Sequence, residues 1–144
     1  MPANSWKLVP GLNNVGSYQV SGKPFVSGSC VAHVSGSGIV VRFPAVTKWV
    51  QIEPRAGAQD PAGRQLRVAF SENGLHNKGP GYNFRVHPSS SLRGPLDLKV
   101  SELWFMSEDA TIYEFDVVAG LTGIAIGSVE TSEGPSWSGS SGVG

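Results

Sequence analysis

Three histidines (His33, His76 and His87), one cysteine (Cys30), and scattered serines and carboxylates are the groups from which this chain would have to build catalysis or metal binding. Metal ligation brings several donors to one point, and a chain commonly writes this as a short spacing such as HxH or HxxxH. Each histidine here stands alone among turn or strand residues, with no paired carboxylate beside it, so surface or structural roles are expected. The clustered histidine motif by which cupins hold a metal is missing. A nucleophile elbow needs Gly-x-Ser-x-Gly between a strand and a helix. The nearest runs, Ser35-Gly-Ser-Gly and Ser138-Gly-Ser-Ser-Gly, are low-complexity stretches instead. Glu72, Asp97, Glu102, Glu114 and Asp116 could supply a glycosidase pair, which needs only two carboxyl groups about 5 to 9 Å apart. Most of them alternate with apolar residues, as the solvated face of a strand does. With one cysteine, no disulfide or thiolate metal cluster forms within the chain, and Cys30 is expected as a small buried hydrophobe. No catalytic residue, metal or cofactor is expected.

The tryptophans carry more information. Trp49 and Trp104 fall on the outward side of strands whose neighbours point inward, and a wet indole leaves a large apolar area that contact with another molecule would cover. A register shifted by one residue would instead place both in the core. Trp6 and Trp137 stand near the chain ends, as anchors for a neighbouring molecule or for the domain itself. Trp6, Trp49, Trp104, Trp137 and Tyr82 are the candidate contact residues; Trp49, Trp104 and Tyr82 could alternatively serve as stacking platforms for a glycan.

These side chains are positioned by strands. Ile39, Val41 and Phe43 alternate with Val40 and Arg42 until Pro44 stops the run; Val46, Val50 and Ile52 point inward from Val46 to Glu53, leaving Lys48, Trp49 and Gln51 outside. Leu66, Val68 and Phe70 alternate with Arg67 and Ala69, and Ser71-Glu-Asn-Gly reads as a tight turn. Leu96, Leu98 and Val100 alternate with Asp97 and Lys99. Leu103 and Phe105 follow among Glu102, Trp104 and Met106, and Tyr113, Phe115 and Val117 alternate with Glu114 and Asp116. No stretch holds a helical period free of Gly or Pro, so helix should be minor. The stretches Pro54 to Gln65 and Leu75 to Gly81 read as long connections. The expected fold is all-β, an antiparallel β-sandwich of seven to nine strands, jelly-roll-like, with extended N- and C-terminal arms. Its divisions are 1–28 as an N-terminal arm partly joining the sheet, 29–122 as the sandwich, and 123–144 as a Gly/Ser-rich C-terminal arm.

A chain of 144 residues suits one core that buries about two thirds of its unfolded surface. Eleven basic and eleven acidic residues cancel, with no run of like charge suited to nucleic acid or an anionic membrane. Charged residues make up only 15% of the chain, against roughly 25% in a typical domain, and glycine is abundant at 19 residues. Few charges and near-zero net charge point to surface covered by assembly. Met1 to Lys7 carries no signal-peptide pattern and no apolar run approaches the ~20 residues that span a bilayer, so synthesis in a reducing cytoplasm is expected.

Four phrases carry a family likeness: Pro10-Gly-Leu-Asn-Asn-Val-Gly-Ser-Tyr-Gln-Val-Ser-Gly-Lys-Pro-Phe-Val-Ser-Gly-Ser, Val41-Arg-Phe-Pro-Ala-Val-Thr-Lys-Trp-Val, Leu66-Arg-Val-Ala-Phe-Ser-Glu-Asn-Gly and Glu114-Phe-Asp-Val-Val-Ala-Gly-Leu-Thr-Gly-Ile. Together they resemble small virion structural proteins of tailed phages and other large DNA viruses of aquatic microbes. The resemblance implies a jelly-roll or sandwich body on the capsid surface, acting without turnover as a decoration, cement or minor capsid component. It implies binding to the major capsid protein and to copies of itself, often as a homotrimer. Thr131 to Gly144 departs from the pattern in its Gly and Ser content. The rival expectation is a glycan-binding or receptor-binding module of a fibre or spike.

Overall fold

The structure, a computed structural model, describes residues 11–12, 23–33, 38–55, 65–76, 81–86, 94–108 and 113–144. Among these residues seven strands form two antiparallel sheets: β1 (Pro24–Ala32), β2 (Ile39–Arg42), β3 (Thr47–Pro54), β4 (Leu66–Ala69), β5 (Asn83–Val86), β6 (Glu102–Ser107) and β7 (Tyr113–Leu121). One sheet has the order β1-β7-β3 and the other β2-β6-β4-β5. The helical residues among those described are one short α1 (Glu72–His76) and a 3-10 turn (Ile126–Val129).

The alternation read from the sequence is the alternation that builds the core. Val41, Phe43, Val50, Ile52, Leu66, Val68, Leu103, Phe105, Phe115 and Val117 are all buried in one cluster between the sheets, with Ile39 and Phe70 packed against it. Phe105 from one sheet meets Phe115 from the other with ring centroids 4.4 Å apart and planes tilted by 37°. At one end Phe25 stands edge-on to Phe43 at 5.1 Å. Cys30 is half-buried against this cluster, with its Sγ 3.2 Å from Ser27 Oγ, so it sits at the margin of the core and not inside it.

Four further expectations are corrected. Ser71 to Gly74 is the start of α1 and not an isolated tight turn: Ser71 Oγ accepts the Gly74 amide at 3.0 Å, as an N-cap serine does for the third helical residue. Serine, asparagine and glycine favour caps as well as turns, and what decides here is Leu75, which the helix buries against Ala69 and Met106. The same helix explains why Ala69, placed outward by alternation, is fully buried. Residues Leu96 to Val100 form no regular strand, because only Leu96 pairs with Val50 through two backbone hydrogen bonds of 2.8 and 2.9 Å. Beyond that pair a side chain supplements the ladder: the Thr47 amide donates to Val100 O at 3.1 Å, while buried Thr47 Oγ1 donates to the Leu98 carbonyl at 2.6 Å and accepts the Val100 amide at 3.1 Å.

The fourth of these corrections concerns residues 123–144, which are folded against the sandwich and not extended. Ile124 and Val129 are buried with Val46, and Trp137 packs on both this cluster and the main core. The Trp137 indole N–H donates to the Lys99 carbonyl and its backbone N–H donates to Val129 O at 2.8 Å. A tight turn over residues 135–138, closed by Ser138 N to Pro135 O at 3.2 Å, places Ser136 and Trp137 at φ 56° and 64°. Two successive left-handed non-glycine residues cost about 1 to 3 kcal/mol each. Burial of Ser136, whose Oγ accepts the Ser101 amide at 3.3 Å and donates to Glu102 O at 3.2 Å, together with the docked indole, holds the turn in place. On the N-terminal side, 1–10 and 13–22 lie outside the described residues, and β1 begins at Pro24 within the division expected to join the sheet.

Candidate functional site

Outward-facing residues of the four-stranded sheet, together with α1 and the C-terminal segment, enclose a groove of about 520 Å³. Its floor comes from alternation on β6, where Glu102 and Trp104 share the face opposite Leu103 and Phe105. Register brings Arg42 of β2 directly opposite Glu102. Ser71, Glu72 and Asn73 at the start of α1 form one wall, and Glu133, Pro135, Ser138, Gly139 and Gly144 form the other. Ser71 joins the walls, since its Oγ lies 2.9 Å from the oxygens of both Val143 and Gly144.

The floor is pre-set. The Trp104 indole N–H donates to Glu102 Oε1 at 3.1 Å, and Arg42 Nε lies 3.4 Å from Glu102 Oε2. The Glu102 side chain is only 7% exposed while that of Arg42 is 69% exposed, so the carboxylate is a fixed acceptor and the guanidinium a movable rim donor. The ring of Trp104 is half-buried on Ala69, Leu75 and Met106, with its remaining surface lining the groove. This arrangement offers hydrogen-bond acceptors around a flat apolar ring.

The other sequence candidates fall elsewhere. Trp49 lies on the outer face of the three-stranded sheet, opposite Gly120 in register, and its indole covers that glycine so closely that a Cβ at position 120 would overlap Nε1. Its partial burial thus comes from lying over bare backbone. Tyr82 is half-buried, with its ring close to Gly144 and its carbonyl close to Gly74. Trp137 is on the domain itself, and Trp6 lies outside the described residues. Of the four candidates that are described, only Trp104 lines the groove. Sequence reasoning missed Arg42, Asn73, Glu133 and Ser138 as its companions. The alternation around β2 and β6 does place Arg42 and Glu102 outward, but nothing in a Gly/Ser-rich tail announces that Glu133 and Ser138 will close a wall.

His33 and His76 are exposed, and His87 lies outside the described residues. Among the described residues no three His, Cys, Asp or Glu side chains converge into a metal-ligating group. The chain matches no protein-family model, no curated protein and no solved structure.

Two charge clusters elsewhere on the sheets are structural. On the three-stranded sheet Asp116 accepts the Ser29 amide at 2.7 Å and two Arg55 N–H groups at 3.1 Å. Ser29, at φ 57°, is the extra residue of a bulge between Ser27 and Cys30, and Asp116 satisfies the amide that the bulge takes out of the ladder. The Ser29 amide, and then Arg55, hold the Asp116 carboxyl below its usual range.

On the other sheet Arg67 and Arg85 are directly opposed, with Glu108 between them. Arg67 Nη2 donates to Glu108 Oε2 at 3.0 Å, Arg67 Nε donates to its other oxygen, and Arg85 Nε lies 3.1 Å from that same oxygen. Hydrogen bonding from Arg67 lowers the Glu108 carboxyl below its ordinary 4.5, against the opposing effect of burial. A depressed folded pKa makes the contribution full above the ordinary value and lost as pH falls through the folded one. Glu108→Gln is therefore expected to lower unfolding free energy by about 1 kcal/mol at neutral pH, a modest value for side chains near one-fifth exposed. That deficit should shrink as pH drops below about 4.5. Urea titrations of both proteins across that range check it, and a deficit independent of pH would count against the network.

Proposed function

We propose that this chain is a virion structural protein, a decoration or cement component of a capsid surface that binds neighbouring major capsid subunits, and that its sandwich is wired as a jelly roll. The observation that carries the jelly-roll wiring, and with it the fold expected of such a protein, is strand order. A long antiparallel ribbon pairs its first strand with its last, its second with its penultimate, and so on inward; wrapped around a core, it yields two sheets of alternating early and late strands. Taking 94–100, bridged to β3 at Leu96, as an extended segment between β5 and β6, the two orders are β1-β7-β3-(94–100) and β2-β6-β4-β5, which follow that rule. Jelly rolls of this kind build viral shells and also lectins, so the fold alone does not choose between roles.

Surface chemistry supports the choice. On the outer face of the three-stranded sheet, neighbouring cross-strand rows carry Pro24, Gly120 and Trp49, then Val26, Val118 and Gln51. Val26 is 67% exposed, the largest exposure among the large apolar side chains described. An apolar patch beside acidic groups held by Arg55 suits contact with protein. Parts of all four phrases that resemble virion proteins lie on the described elements, in β1, in β2 and β3, in β4 with the start of α1, and in β7. A homotrimer is the expected assembly.

The test is made on particles. The protein should copurify with intact capsids in fixed stoichiometry, and capsids assembled without it should rupture at lower temperature or milder osmotic shock. Val26→Asp, on the exposed patch, should weaken incorporation at least about tenfold with the fold intact, since a charge would be buried there without a partner. Capsids of unchanged heat and osmotic resistance without the protein would remove the cementing role.

A further inference from the structure

We propose that the groove floored by Trp104 and Glu102 is a binding site for a neutral saccharide. Its volume of about 520 Å³ lies within the range of small-molecule sites, and its lining mixes one large aromatic ring with a few placed polar groups. A pyranose presents an apolar face of C–H groups and a rim of hydroxyls. The exposed part of the indole offers the matching flat surface, and the rim finds Glu102, Arg42, Asn73 and Ser138 around it.

Preorganisation separates this groove from a random surface dent. Glu102 is a nearly buried carboxylate that accepts one indole N–H and lies beside one guanidinium. An ionised carboxylate has about four acceptor sites, so Glu102 retains capacity for hydroxyl donors that enter the groove. The bond from Trp104 Nε1 to Glu102 Oε1 fixes platform and acceptor relative to each other before anything binds, which spares the ordering cost of assembling them.

Charge decides the class of sugar. Three carboxylates, Glu72, Glu102 and Glu133, line the groove with the guanidinium of Arg42, so uronic and sialic acids would be repelled. A basic side chain is the competing occupant. It is disfavoured because the one buried carboxylate is already paired with Arg42, while Glu72 and Glu133 are exposed at the rim, where solvent screens them. The site would give the protein a second capability, independent of any capsid partner.

The experiment follows the indole N–H resonance of Trp104, assigned by its loss in Trp104→Phe, during titration of the whole chain. Neutral hexoses, N-acetylhexosamines and their oligomers are the probes, with sialic acid, free lysine and free arginine as contrasts. The expected result is a saturable shift with one or more neutral sugars and none with sialic acid. Glu102→Gln should weaken that binding roughly tenfold, the value of one hydrogen bond to a charged group. Trp104→Phe, followed through backbone amides of β6, should weaken it by a similar factor, while Trp49→Phe should leave it unchanged. Absence of a saturable shift with every neutral sugar overturns the proposal. So does a response confined to lysine and arginine, or sugar binding that survives both groove substitutions.

Discussion

Phe105→Ala is expected to lower the unfolding free energy by about 4 kcal/mol, the upper part of the range for removing a buried aromatic side chain. Phe105 is completely buried, and its ring meets Phe115 across the interface between the two sheets, so the vacated space cannot be filled from solvent or from one sheet alone. Phe115→Ala should cost a similar amount. The double variant should lose about 1 kcal/mol less than the two single losses together, because each single change already removes the ring-to-ring contact. Urea or guanidinium titrations of the four proteins measure this cycle. A loss under about 1.5 kcal/mol for either single variant would mean that the sheets do not pack through these rings.

Trp137→Ala should have the next largest effect, about 3 kcal/mol, with a signature that a surface tryptophan would not give. The ring joins the small cluster of Val46, Ile124 and Val129 to the main core and donates to Lys99 O, and it stands on a turn whose two central residues carry positive φ. Without the indole only the two hydrogen bonds of buried Ser136 are left to offset the strain of that turn, so 123–144 should detach before the sheets unfold. The variant should show rapid amide exchange and early proteolytic cleavage between Gly123 and Gly144, with protection in β6 and β7 retained. Exchange at wild-type rates in this segment would show that the tail is held by something other than Trp137.

The sheets were legible in the sequence because period-two alternation survives wherever one face is buried and the other is wet. Leu66 and Val68, Leu103 and Phe105, Phe115 and Val117 all obey it. It fails where a second layer covers the outer face, as α1 does over Ala69 and Met106, because there both sides of a strand are apolar and the pattern is silent about what covers it. It fails again at 94–100, where Leu96 is exposed although Val100 is buried, and where Thr47 Oγ1 takes over part of the backbone pairing by binding Leu98 O and the Val100 amide. A hydroxyl acting as a rung of a ladder leaves no trace in periodicity. Of the candidate site, the outward setting of Glu102 and Trp104 could be read, but the closing wall could not. Ser136 and Trp137 adopt conformations that local preference disfavours, and only the tertiary contacts of the tail impose them.

The bulge at Ser29 bears on how such sheets behave when crowded. Among the described strands β1 is at the margin of its sheet, and its extra residue, clamped by Asp116, breaks the strand into two short registers. A foreign strand approaching that margin would meet donors and acceptors that fall out of step midway, so it could match one half or the other but not both. Molecules packed at high local density would then touch through side chains without zipping together, a built-in guard against fibril growth.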